Sequence, residues 1–238
     1  MASQKCDEPA STVFETWATS MRITTECAVC APEKVNRPPL LIALHGWGQT
    51  AAVFLRNFRP LAREGWLIAA PQAPHPFYVD PDRGRVGYSW LTREHRDTAV
   101  RDVNTYLSET LARLADRYAF DLTRVYLLGF SQGSSVAFRY LAAGAVPIAG
   151  VASCCSDLPP DVRDALGEMP PRPALVAYCP HDRVVPPALS REAVQLLNSY
   201  GWPATEFSFD GGHSVTPELM DRVSEWLRDS AGRQLCAR

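Results

Sequence analysis

From residue 39 onward the chain alternates short, unbroken apolar runs with longer stretches of helical period, and few architectures accommodate that alternation. The runs are 39–44 (PLLIAL), 66–70 (WLIAA), 124–129 (RVYLLG), 148–153 (IAGVAS), 173–178 (PALVAY) and 204–209 (ATEFSF). They lack the polar alternation of a half-solvated strand, as strands of a parallel sheet covered on both faces do. Two earlier segments, 13–18 (VFETWA) and 23–29, also read as strands. Between the runs lie helical stretches at 51–64, 97–118, 132–143, 187–200 and 217–229, the second carrying Val100, Val103, Leu107, Leu111 and Leu114 on one face. The expectation is an α/β fold with a mostly parallel central sheet of about seven or eight strands and helices on both faces. The proline-rich stretches at 71–81 and 159–173 read as loops over the carboxyl edge of that sheet.

At 238 residues, 46% of them hydrophobic, the chain suffices for one sizeable core. We expect a single domain over 13–238 preceded by a flexible tail at 1–12. The formal net charge is −2 and acids and bases are interspersed, so neither a nucleic acid nor an anionic membrane surface is an expected partner. No run approaches the roughly 20 apolar residues of a membrane span, and the first residues lack the apolar block of a secretory signal. The expected location is cytoplasmic, with no stable membrane insertion. Seven cysteines are an odd number and fit a reducing compartment. Cys27 and Cys30 make a lone C-x-x-C whose side chains point to opposite faces of a strand, so no zinc site is expected there; Cys154 and Cys155 read as small core residues at a strand end.

Residues 129–133 read G-F-S-Q-G, with a buried run before and a helical stretch after. A serine on a sharp strand-to-helix turn takes a strained backbone, and flanking glycines make room for the neighbouring chain. The following helix directs its free amides and positive dipole end at the hydroxyl, favouring the negative charge of an acyl-transfer intermediate. Ser131 is therefore the candidate nucleophile.

Such a hydroxyl needs a base, and the base an orienting carboxylate. Of five histidines only His213 follows the last expected strand, in F-D-G-G-H-S-V-T-P. His75, His95 and His181 lie elsewhere along the chain, and His45 is expected to brace its own loop. Asp182, after the strand at 173–178, completes the order Ser131, Asp182, His213 that α/β-hydrolases use. Asp157, one strand earlier, is the rival acid, and Asp210 reads as a turn former. The stretch L-I-A-L-H-G-W-G-Q at 41–49 holds an H-G-x-G loop of the kind that supplies an oxyanion-hole amide. The expected donors are the backbone amides of Trp47 and Gln132. Trp47, Trp90 and Phe130 are expected to line the substrate path.

Taken together, L-H-G-W-G-Q, A-P-Q-A-P, G-Y-S-W, G-F-S-Q-G, H-D-R-V-V-P and G-G-H resemble the phospholipase/carboxylesterase family of α/β-hydrolases, which includes acyl-protein thioesterases. The resemblance covers roughly residues 35 to 228. It implies an α/β-hydrolase fold without a cap domain, no metal or other cofactor, and hydrolysis of small-molecule esters or thioesters by a monomer or homodimer. The main expectation is a carboxylesterase for short to medium acyl chains acting through an acyl-enzyme on Ser131. Thioesterase and lysophospholipase activities are alternatives within the class, as is a peptidase or polymer esterase; a silent hydrolase fold used for binding is the alternative outside it. Two departures touch the site: Ser134 and Ser135 follow where the family usually has glycine and small apolar residues, and Y-C-P-H-D replaces a glycine-containing turn.

Overall fold

The computed structural model describes residues 15–236 apart from residues 18 and 34. The expected tail at 1–12, and positions 13, 14 and 18 of the first expected strand, lie outside the described residues; 15–17 form no strand. The remaining runs become β1 (Cys27–Cys30), β2 (Leu40–Leu44), β3 (Leu67–Pro71), β6 (Val125–Phe130), β7 (Gly150–Cys154), β8 (Ala174–Tyr178) and β9 (Ala204–Ser208), with a hairpin of β4 (His75–Asp80) and β5 (Arg85–Ser89) between the third and sixth. They order as β1-β3-β2-β6-β7-β8-β9, antiparallel at β1 and parallel elsewhere.

The strands alternate their side chains between two cores. Leu40, Ile42, Leu44, Val125 and Leu127 pack against α3 (Arg96–Arg117), α4 (Gln132–Ala143) and α6 (Pro187–Ser199). Leu41, Ala43, Tyr126 and Leu128 pack on the other face against α1 (Ala51–Leu55), α2 (Arg59–Arg63) and α7 (Pro217–Cys236). Covering both faces is why every residue of β2, β3, β6, β7 and β8 is buried and why those runs lack polar alternation.

Three differences from the sequence expectation have local causes. The helix expected over 51–64 breaks into α1, a 3₁₀ turn at Arg56–Phe58 and α2, because Pro60 has no amide hydrogen and its ring clashes with the carbonyl a turn earlier. The stretch at 71–81 is not all loop: its second half is β4, which pairs antiparallel with β5. That two-stranded ribbon stays outside the main sheet and partly exposed, and its apolar stretch at 77–79 is too short to read as a buried strand. Within 159–173 lies a short helix, α5 (Pro160–Ala165), opened by a proline in its first turn and too brief to register a helical period.

The order in which strands are laid down reverses around β2. β3 pairs on one side of it and β6 on the other, and a crevice at the carboxyl ends of such a pair is where ligands bind in open parallel sheets.

Candidate active site

Ser131 is the residue immediately after β6 and carries φ 52° and ψ −120°. Its amide donates to the Cys154 carbonyl of the adjacent strand at 2.8 Å, fixing the turn. The flanking glycines are required sterically: a Cβ on Gly133 would overlap the Leu44 carbonyl of β2, and one on Gly129 would overlap the backbone of Ser134. Ser134, one of the departures from the family pattern, is fully buried. Its hydroxyl donates to the Gly129 carbonyl at 2.7 Å and accepts from the Cys154 amide at 3.1 Å, so it ties the elbow to β7.

The loops after β8 and β9 bring Asp182 and His213 to this serine. His213 Nε2 lies 2.9 Å from Ser131 Oγ, and Nδ1 lies 2.8 Å from Asp182 Oδ2. With a carboxylate at Nδ1, that nitrogen holds the proton and Nε2 accepts the serine hydroxyl. Asp182 Oδ1 accepts from the amides of Val184 at 2.8 Å and Val185 at 3.0 Å. Burial pushes the Asp182 carboxyl up, but the hydrogen bonds from His213, Val185 and Val184 and the charge of His213 outweigh it and hold the group below the ordinary carboxylate value. The Cys179 sulfur accepts from the amides of His181 at 3.3 Å and Gly212 at 3.1 Å, and so bridges the acid loop and the histidine loop. The other candidates stand apart. His75 and His95 are exposed, His181 is exposed beside the acid, and Asp210 is exposed with its amide on Glu218.

The loop after β2 is pinned by buried polar side chains. His45, fully buried, donates from Nδ1 to the Gly46 carbonyl at 2.8 Å and accepts at Nε2 from the Gln72 side chain and the Ala73 amide. Burial lowers its pKa to about 4, so it stays neutral and keeps that acceptor. The Gly46 amide is taken by Gln49 Oε1 and the Gly48 amide by the Tyr88 carbonyl, which leaves the Trp47 amide between two fixed neighbours. Gln132 opens α4, where the leading amides have no carbonyl a turn earlier to bond. Its side chain accepts from the Trp90 amide at 2.8 Å and donates to the Leu91 carbonyl at 2.7 Å, locking the start of the helix to the segment after β5.

Of the three expected lining residues, Trp47 is 61% exposed, and its ring stacks on Phe77 of the hairpin at 4.7 Å. Phe130 is buried, its ring 5.1 Å from that of His213. Trp90 is fully buried, and its indole donates to the His45 carbonyl at 2.8 Å, so it packs beneath the loop and has no exposed face. Sequence reasoning missed Phe77, Ser134, Gln72 and Cys179. Gln72 and Cys179 stand within A-P-Q-A-P and Y-C-P-H-D, and Ser134 is a hydroxyl three residues past the elbow, but nothing local assigns their contacts; Phe77 left no signal.

Among the described residues one group could gather a metal ion: ligand atoms of Cys155, Asp182 and His213 lie within 4.8 Å of one another. Asp182 and His213 already meet at hydrogen-bond distance, which leaves no gap for an ion between them. No helix of the described residues is long and apolar enough to cross a membrane.

The model of the phospholipase/carboxylesterase family matches residues 25–231. The chain belongs to that family. Solved structures agree in fold: esterase PE8 aligns at a TM-score of 0.73 and 21% identity over 87% of this chain and 99% of its own. The Bacillus cereus carboxylesterase aligns at 0.67 and 17% over 87% and 94%, and Zea mays acyl-protein thioesterase 2 at 0.65 and 17% over 87% and 99%. The protein is thus an esterase-type serine hydrolase with an α/β-hydrolase fold, and small-molecule esters are its substrate class.

Proposed function

We propose that this family member hydrolyses carboxylic esters with short to medium acyl chains through an acyl-enzyme on Ser131, with His213 as base and acid and Asp182 as its orienting group. The observation that carries this reading is the continuous hydrogen-bonded chain from Ser131 Oγ through both nitrogens of His213 to the buried Asp182 carboxylate. Ser131 Oγ attacks the ester carbonyl carbon while its proton passes to His213 Nε2. The carbonyl π electrons move onto oxygen, where the amides of Trp47 and Gln132 receive the charge; losing one such donor typically costs about 3 kcal/mol. The imidazolium then protonates the departing alkoxide, and water reverses the sequence to release the acid.

Chain-length preference follows from what surrounds the serine. Between β7 and β8 the chain spends its length on α5 and a short turn, with no helical cap. The apolar slot beside Phe130, Val215 and Leu219 is too narrow for a water molecule, so a long acyl chain runs along the open rim at Trp47 and Phe77. A thioester presents the same carbonyl, and one relative carries a thioesterase's name; paired oxygen and sulfur esters of one acyl group separate the readings. Cys27, Cys30, Cys154, Cys155 and Cys179 are unpaired, which supports a reducing, cytoplasmic setting.

Ser131→Ala is the test. It should fold normally and lose turnover of p-nitrophenyl esters, because every covalent step passes through that oxygen. A fluorophosphonate should label the wild-type protein once, at Ser131. Substantial turnover by a folded variant, or labelling elsewhere, would sink the mechanism.

A further inference from the structure

Asp182 has three donors, His213 Nδ1 and the amides of Val184 and Val185. An ionised carboxylate offers about four acceptor positions. The Asp182 side chain is 1% exposed, so the fourth position must be met from inside the protein or left empty at a cost.

Cys155 is placed to meet it. It is the first residue after β7, as Ser131 is the first after β6, and the register pairing Phe130 with Cys154 sets the two side by side at adjacent strand ends. Both carry φ 52°. For a residue with a side chain that region costs roughly 1–3 kcal/mol which a glycine would avoid, so a fully buried cysteine held there is strain that needs a compensating contact. Its Sγ lies within 4.8 Å of both an Asp182 oxygen and a His213 nitrogen. Burial, and then the charge of Asp182, push the thiol up to about 12, so at neutral pH the sulfur holds the proton it has to donate.

We propose that Cys155 is a positioning residue of the active site, its S–H donating the fourth hydrogen bond to the Asp182 carboxylate and fixing the plane that this carboxylate presents to His213. The inference rests on the triad proposed above. The other titratable groups around the pair do not duplicate the contact. Cys179 accepts two amides at its sulfur, Cys154 belongs to the apolar core, and His181, Arg183 and Asp210 are exposed. A carboxylate that loses a donor concentrates its charge toward the imidazole and holds the imidazolium more tightly.

The test compares Cys155→Ala with Cys155→Ser by kcat/KM against pH. The alanine variant should lose roughly tenfold, as expected for one hydrogen bond to a charged group, and the acidic limb of its profile should move to higher pH. Serine, which restores a donor, should return both rate and limb to wild type. Cys155→Gly removes the thiol while relieving the backbone, and should repeat the alanine profile even where alanine folds poorly. An unmoved limb in the alanine and glycine variants, or equal losses in alanine and serine, would overturn the assignment. Fluorophosphonate labelling of Ser131, measured alongside, keeps a failure of this contact distinct from a failure of the triad.

Discussion

The two halves of the site are built differently. The nucleophile half, Ser131 and the loop after β2, grows out of central strands and is held by groups with no freedom to move. Gly133 sits against the Leu44 carbonyl, His45 is fully buried among the side chain of Gln72 and the amide of Ala73, and the Gln132 amide group is clamped between Trp90 and Leu91. The acid–histidine half hangs on two loops past strand ends. Gly211 and Gly212 both carry positive φ, and the ties across the loops are a carboxylate and a sulfur. Preorganised electrostatics belong on the rigid half, where the charge develops. The proton carrier sits where small adjustments of the imidazole are tolerated. Substitutions should therefore separate: those in the second half lose rate and keep the fold, and those in the first, apart from the Ser131 hydroxyl that reacts itself, lose stability.

Asp182→Asn should show the largest effect. The amide replaces the acceptor at Nδ1 with a group that favours the wrong imidazole tautomer, and turnover should fall by about 10⁴ while the thermal midpoint stays near wild type. Asp157→Asn, half-buried and one strand away, should be mild. A reversed pair of results would hand the acid role to Asp157. Gly133→Ala comes next and should do the opposite, losing about 4 kcal/mol of stability or the fold itself, because backbone of β2 and not a flexible side chain occupies the space a methyl needs. A soluble variant with an unchanged urea midpoint would remove the steric reason for the glycine.

How much of this was legible depended on whether the cause was local. Backbone sterics are local: G-F-S-Q-G announced the elbow because glycine spacing and a strand-to-helix change lie on one stretch of chain, and buried runs announced the strands they became. Contacts set by register between distant strands are not. The bond from Ser134 to Cys154 and the bridge of Cys179 to Gly212 require knowing that β6 neighbours β7 and that β8 neighbours β9. Trp90 was expected on the substrate path, but the direction of a side chain just past a strand end depends on what it packs against, and its indole turns inward to the His45 carbonyl. The hairpin escaped because a partly exposed two-stranded ribbon leaves only a short apolar stretch, 77–79, inside a proline-rich segment. With it went Phe77.

The rigid half should also reveal itself in acid. His45 ordinarily titrates near 6.5 but is held at about 4 in the fold, so between those values the unfolded chain binds a proton that the native state refuses. Stability is then complete above about pH 6.5 and declines as pH falls toward 4, by about 3 kcal/mol over the window. Asp182, Asp161 and Asp121, all held low, add their losses only below the ordinary carboxylate value. Urea midpoints measured through this range, with histidine ring-proton NMR, check it directly. A flat stability curve, or a His45 resonance titrating near 6.5, would mean that the buried network is wetter than its contacts imply.

The smallest effect should come from the rim, where the comparison is between two tryptophans. Trp90 is covered on all sides, whereas Trp47 leaves most of its surface to solvent and leans on Phe77. An acyl chain leaving Ser131 along the open side gains up to about 0.8 kcal/mol for each methylene it buries against those rings. Phe77→Ala removes the support that holds Trp47 in place, but touches neither the Trp47 amide nor the Ser131 elbow. The acetyl ester, which ends before the rim, should keep its kcat/KM within roughly twofold, while esters a few methylenes longer should lose roughly tenfold. Trp90→Ala should instead lower the melting temperature and weaken all chain lengths together, because it unpins the His45 carbonyl and empties a large volume beneath the loop. Profiles of kcat/KM across a series of p-nitrophenyl esters decide between them. A chain-length-dependent loss in Trp90→Ala, or a uniform one in Phe77→Ala, would exchange the two roles and put the acyl path beneath the loop instead of across it.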